Sequence, residues 1–157
     1  WKLVYYAFIL GLPIAFSPFG VGSILLAFLL LHFITGLSIS LVFQTAHIMP
    51  EVSFPQANEN GIVEGERMLH QLATTSNYSE NSPLFSWMIG GLNYQVEHHL
   101  FPDVCHVHYR NIAPIVKATA AEYNIPYYTK KTFFDALKAH AKMLYQLGRI
   151  EMQPVKV

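Results

Sequence analysis

From Leu3 to Ala46 the chain runs 44 residues without a single Lys, Arg, Asp or Glu. A soluble domain carries about a quarter charged residues, so a segment like this belongs in hydrocarbon rather than in water. A Ser-Pro-Phe-Gly break at residues 17–20 divides it, as a tight turn would. The sequence therefore predicts a transmembrane helical hairpin over residues 1–48, with spans at about 3–19 and 21–46. The first span is near the short limit for crossing a core of about 30 Å, and Pro13 is expected to kink it. The second extends from Val21 to His47, 27 residues, or about 40 Å at 1.5 Å per residue. Its last two turns are expected to stand clear of the hydrocarbon.

Charge is distributed in the opposite sense. Nine of the ten Lys and Arg follow residue 60, which by the positive-inside rule makes residues 49–157 a cytoplasmic region. Zero net charge and no basic run longer than Lys130-Lys131 exclude a nucleic-acid footprint. Cys105 is the only cysteine, so no intrachain disulfide forms. The chain opens on Trp1 with neither an n-region nor a cleavage site, and reads as the C-terminal part of a longer protein.

The region after residue 48 reads as helical, with no alternating run of strand length. Met68, Leu69 and Leu72 share one helix face, followed by a Ser/Asn-rich loop. "PLFSWMIGGL", with Trp87, suits a short interfacial or re-entrant helix. Asn111 is a candidate cap for a helix with Pro114 in its first turn that ends near Asn124-Ile-Pro126. A last amphipathic helix is expected from about Lys130 to Leu147, capped by Thr129 and stopped by Gly148, with Phe133, Leu137, Ala141 and Leu144 on one face. The fold class is thus all-α integral membrane: a transmembrane hairpin followed by a cytoplasmic helical cap.

Histidines concentrate the chemistry. In "QVEHH", residues 95–99, a helix would place Gln95 on the same face as His98 and His99, three and four positions on. The adjacent histidines differ by about 100 degrees around the axis and suit two ions better than one. Glu97 points elsewhere and is cast as an outer acceptor for an imidazole N–H. His47, at the emergent end of the long helix, can be brought to the same site by tertiary packing. Metal ligation competes here with a solvated turn, and the imidazole-rich donors suit Fe, Zn or Cu. Three histidines cannot fill two coordination spheres. His32, inside the second span, is read as bonded to a carbonyl or hydroxyl one turn away rather than as an intramembrane functional residue; it lies about 22 Å along the helix from His47 and cannot share its metal. His106 and His108 fall past Pro102 and are read as structural or as outer partners behind the metal ligands, and His70 and His140 as surface or packing residues.

"GGLNYQVEHHLFP" resembles the third histidine box of the membrane fatty acid desaturases, and Gln in its first place resembles the front-end (Δ5/Δ6, linoleoyl-CoA desaturase-like) branch. "FQTAH" followed by Glu51, and "HQLATTSNY", are similar to stretches that precede that box. The resemblance implies four membrane spans, a cytoplasmic cap, and two Fe ions held by histidines from three boxes and a helix-end histidine. His98 and His99 match the box ligands, Gln95 the substituted box position and His47 the helix-end ligand. An Asn that reaches iron through water in acyl-CoA desaturases is replaced by Phe43, leaving Gln44 and Asn93 as candidates, with Glu51 also near. Trp87, Leu92 and Tyr94 are candidates for lining an acyl tunnel.

The implied activity is O2-dependent introduction of a cis double bond into a fatty acyl chain linked to CoA or lipid, with electrons from a donor such as cytochrome b5 or ferredoxin. The implied location is a multi-pass membrane protein with its histidine box on the cytoplasmic side. No first or second box occurs in the chain, so this segment alone is expected to be inactive. A sister di-iron hydroxylase or acetylenase and a non-catalytic membrane metal-binding module are the alternatives.

Overall fold

The computed structural model describes residues 1–149. They form two compact units, Trp1–Ser40 and a second beginning at Leu41. The fold is mostly helical.

In the first unit, α1 (Lys2–Tyr6) passes through a π-helical turn (Ala7–Gly11) into α2 (Leu12–Phe16). Pro13 explains the wide turn. Its ring would meet the carbonyl of Ile9 in a regular α-helix and its nitrogen cannot donate, and opening one turn relieves both without breaking the rod. The rod from Lys2 to Phe16 is about 22 Å long, shorter than the 3–19 span expected and short of a 30 Å hydrocarbon core. Among the described residues one helix is long and apolar enough to cross a membrane, α3 (Val21–His47). His32 is fully partnered: its Nδ1 lies 2.9 Å from the Phe28 carbonyl and its Nε2 2.9 Å from the Tyr5 hydroxyl. Leu26, Leu29, Phe33 and Ile34 are exposed, an apolar surface that suits lipid or further helices better than water.

The second unit takes in the end of α3 and continues through α4 (Arg67–Thr74), β1 (Ser76–Tyr78), α5 (Pro83–Met88), α6 (Gln95–Leu100), a 3-10 turn (His106–His108), α7 (Tyr109–Glu122), β2 (Tyr128–Lys130) and α8 (Phe133–Leu147). β1 and β2 pair in parallel, with Ser76 opposite Tyr128, Asn77 opposite Thr129 and Tyr78 opposite Lys130. These strands correct the all-α expectation. Three residues are too few for alternation to register in sequence.

Helix ends also move. α7 begins at Tyr109, so Asn111 is not its cap and Pro114 falls in the second turn. Thr132, not Thr129, caps α8, accepting the Asp135 N–H at 3.0 Å, while Gly148 stands at its C-terminus as expected. Thr129 and Lys130 are drawn into β2 instead. The inward stripe of α8 is Phe133, Ala136, Ala139 and His140 rather than the predicted one, and Leu144 is exposed. His140 is a packing residue, its Nδ1 3.0 Å from the Ile48 carbonyl.

Ala46, Met49, Val52, Tyr78 and Ala136 form the main core, with Phe85, Ile89, Tyr128 and Phe133 around it. Tyr78 ties β1 to α3, its hydroxyl donating to the Val42 carbonyl at 2.8 Å. Burial pushes that hydroxyl up to about 12, with a hydrogen bond to Thr45 opposing the rise. Because the folded value exceeds the ordinary value of 10, the stabilisation is complete below pH 10 and is lost as pH climbs toward 12. Tyr78→Phe should lower stability by about 1 kcal/mol at neutral pH and flatten the loss between pH 10 and 12. Thermal unfolding of the purified whole protein across that range checks both.

Candidate metal centre

α6 carries the "QVEHH" run as one and a half helical turns. Gln95, Val96 and Glu97 are buried and His98 and His99 half-buried, as expected when the first residues of a short helix pack inward and the last emerge. Forty-eight residues earlier, His47 ends α3. The fold brings the two together: His47 Nε2 lies 3.3 Å from His99 Nε2, and Gln95 Nε2 lies 3.4 Å from the first and 3.5 Å from the second.

Both imidazoles are held neutral. Burial is the main cause of the fall in the His47 pKa; the Thr74 carbonyl, 3.4 Å from its Nδ1, opposes it, and nearby His98 adds to it. His99 falls to about 4, through burial first and then the neighbouring His47 and His98. An Nδ1–H turned to the Thr74 carbonyl leaves the His47 Nε2 lone pair facing the site.

This donor set fits part of a metal site. Two nitrogens each about 2.1 Å from one ion sit roughly 3.0 to 3.4 Å apart, and the His47–His99 separation of 3.3 Å lies within that range. Gln95 adds a carboxamide whose Oε1 is buried without a hydrogen-bond partner. Neutral imidazole suits iron, zinc or copper. Among the described residues no group of three His, Cys, Asp or Glu side chains is placed to hold an ion by itself.

His98 takes a different direction. Its Nδ1 is 3.3 Å from the Tyr109 hydroxyl. Glu97 does not orient an imidazole: it accepts from Asn77 Nδ2 at 2.7 Å and from the Tyr127 hydroxyl at 2.8 Å. Burial raises its pKa, and the Asn77 and Tyr127 hydrogen bonds oppose that rise.

The other expected residues do not converge on this point. Gln44 is exposed. Asn93 is fully buried, its Nδ2 donating weakly to the Ser79 carbonyl at 3.4 Å. Glu51 pairs with Lys130 at 2.6 Å on the surface. Trp87 is 78% exposed, Leu92 is half-buried, and Tyr94 donates to the Glu80 carbonyl at 2.7 Å. The cavity that Tyr94 borders also presents Glu80, Arg110 and Lys117, too charged a lining for an acyl chain. His106 and His108 lie exposed in the 3-10 turn. Sequence reasoning missed His70, which borders a cavity of about 440 Å3 with His47. It also missed Asn77 and Tyr127, the partners of Glu97, although Asn77 lies in the "HQLATTSNY" stretch.

The chain matches the family model described as "Fatty acid desaturase" over residues 1–131. It is 40% identical over 152 residues to an "Acyl-lipid (8-3)-desaturase" of Physcomitrium patens, covering 97% of this chain and 32% of that protein. A "sn-1 linoleoyl-lipid 6-desaturase" of Synechocystis sp. is 32% identical, over 94% of this chain and 41% of its own length. A "Probable Delta(5) fatty acid desaturase C" of Dictyostelium discoideum is 33% identical, over 96% and 33%. The chain thus spans about a third of the length of such curated relatives. No solved structure matches it.

The depressed histidine values carry a pH signature. A buried imidazole that titrates below its ordinary 6.5 contributes fully above pH 6.5 and loses that contribution as pH falls toward 4. The metal-free whole protein should lose stability over this window, and His99→Asn should reduce the slope. Thermal midpoints at half-unit pH steps measure it.

Proposed function

The chain belongs to the fatty acid desaturase family, and from that premise we propose that it contributes His47, His98 and His99 to a two-iron centre that introduces a cis double bond into a fatty acyl chain. The observation that carries this reading is the meeting of His47, Gln95 and His99 from elements far apart in sequence. Three imidazoles supply too few donors for two ions, and the remaining ligands are assigned to sequence outside this chain. On that reading the segment alone is inactive.

Two bound irons would supply activation of O2 and removal of two hydrogens from adjacent carbons, with two electrons entering and water leaving. The residues present do the work of holding and shielding. His47 and His99 offer lone pairs without losing a proton, because burial already keeps them neutral. Gln95 turns its amide nitrogen toward both ring nitrogens, where its two N–H groups would hold the imidazoles by hydrogen bonds, and its buried amide oxygen has no hydrogen-bond partner. The Thr74 carbonyl fixes the His47 ring from behind.

The substrate class is an acyl chain carried on lipid, the chemistry printed in the names of several relatives. An apolar substrate accounts for siting the centre beside a helix that itself belongs in hydrocarbon. Electrons would come from a carrier such as cytochrome b5 or ferredoxin. The protein would be multi-pass in the membrane, with the histidine box on the cytoplasmic face.

Counting metal tests the ligand assignment. In the purified, iron-loaded whole protein, His47→Ala and His99→Ala should each cost the same one equivalent of iron, and the double variant no more than that one. His98→Ala should remove the other equivalent, and each change should abolish unsaturated product in a lipid-fed assay. Full iron content and undiminished product in the three single variants would reject the assignment.

A further inference from the structure

His98 and His99 ride on a helix that does little to hold itself. α6 has six residues, and Tyr94 at its N-cap makes no side-chain capping bond. So short a helix forms too few backbone hydrogen bonds to fix its own place or rotation. Rotation matters here. A ligand nitrogen roughly 6 Å from a helix axis moves about 0.1 Å per degree of turn, whereas metal–ligand distances tolerate about 0.2 Å.

What meets the open end of α6 is the side chain of Asn77, from β1. Its Oδ1 accepts the Val96 N–H at 2.9 Å, and its Nδ2 donates to the Glu97 carboxylate at 2.7 Å. One carboxamide therefore grips two successive residues of the helix. A second grip comes from Tyr127, just before β2, whose hydroxyl donates to the other Glu97 oxygen at 2.8 Å and lies 2.7 Å from Asn77 Nδ2. Asn77, Val96 and Glu97 are fully buried, so water does not compete for these bonds. The β1–β2 pairing sets Asn77 opposite Thr129, two residues from Tyr127, which fixes the two grips relative to each other. Thr129 in turn donates to Glu80 at 2.8 Å, and Glu80 lies 3.2 Å from Asn77 Nδ2.

We propose that Asn77 and Tyr127, acting through Glu97, are positioning residues that lock the rotation of α6 and so aim His98 and His99 at the metal. Neither residue touches the reacting atoms. The proposal rests on the two-iron reading for its consequence, and on the hydrogen-bond geometry for its mechanism.

The test uses the whole protein with Asn77→Ala, which removes every contact of the carboxamide, those to Val96, Glu97, Tyr127 and Glu80, and Tyr127→Phe, which removes one oxygen. Val52→Ala, in the main core, controls for loss of stability alone. In metal-free protein, Asn77→Ala should speed hydrogen exchange of the Val96 amide at least tenfold. In iron-loaded protein, both variants should release iron to a chelator about 10 to 100 times faster, the usual cost of losing a ligand's outer support, and should shift the Mössbauer quadrupole splitting. Val52→Ala should lower the thermal midpoint and move neither readout. If Asn77→Ala does not fold, Tyr127→Phe carries the test. Release rates and spectra of Tyr127→Phe equal to wild type, or an unchanged Val96 exchange rate in folded Asn77→Ala, overturn the proposal. A wild-type protein that takes up no iron overturns the two-iron reading and this proposal with it, whereas a loaded wild type with unchanged variants overturns this proposal alone.

Discussion

A buried carboxamide against the first turn of a six-residue helix is the interaction on which the histidine arrangement depends. Propensity alone would leave α6 as one frayed turn, because closing so few backbone bonds does not recover the entropy of ordering the residues. Asn77 supplies an acceptor to Val96 and a donor to Glu97 in one rigid group. It can do so because β1 is held by its pairing with β2 and by its own Tyr78, whose hydroxyl reaches the Val42 carbonyl on α3. The same strand thus contacts the element that bears His47 and the element that bears His99.

The electrostatics follow from that packing. Withdrawing His47 and His99 from water removes the advantage of protonation, so the two rings approach to 3.3 Å without the repulsion of two cations. Glu97 is one position from His98 but spends its carboxylate on Asn77 and Tyr127. Its two carboxyl oxygens are thereby committed to the Asn77 and Tyr127 side chains. Burying a polar group with its partners in place fixes a conformation, whereas burying it without them would cost several kcal/mol.

Sequence made the long helix, the "QVEHH" turn and the pairing of His47 with that turn readable, since each rests on local pattern or on motif. The uncharged apolar run reads as helix by composition and length, and the spacing of Gln95 and His99 is a helical spacing. What it hid depends on contacts between residues far apart. β1 and β2 are each three residues long, and no alternation shows in so short a run. The cap of α8 moved from Thr129 to Thr132 because the strand claimed Thr129 first. Glu97 looked like a partner for a neighbouring imidazole, since sequence offers only neighbours; its partners lie 20 and 30 positions away. His140 is open in sequence between a surface and a packing role on an amphipathic face, and the Ile48 carbonyl, which gives its buried ring a partner, decides for packing.

The length of α3 connects the apolar part of the chain to the polar part. At 27 residues it extends about 40 Å, some 10 Å more than a hydrocarbon core of about 30 Å accommodates. The surplus amounts to about seven residues, and the second compact unit begins at Leu41, seven residues from the helix end at His47. In that final stretch half-buried Leu41 and exposed Phe43 give way to Thr45 and Ala46, both fully buried, and the carbonyl of Val42 accepts from Tyr78. One helix therefore carries two surfaces in succession, a largely exposed apolar one before residue 41 and a buried one at Thr45 and Ala46.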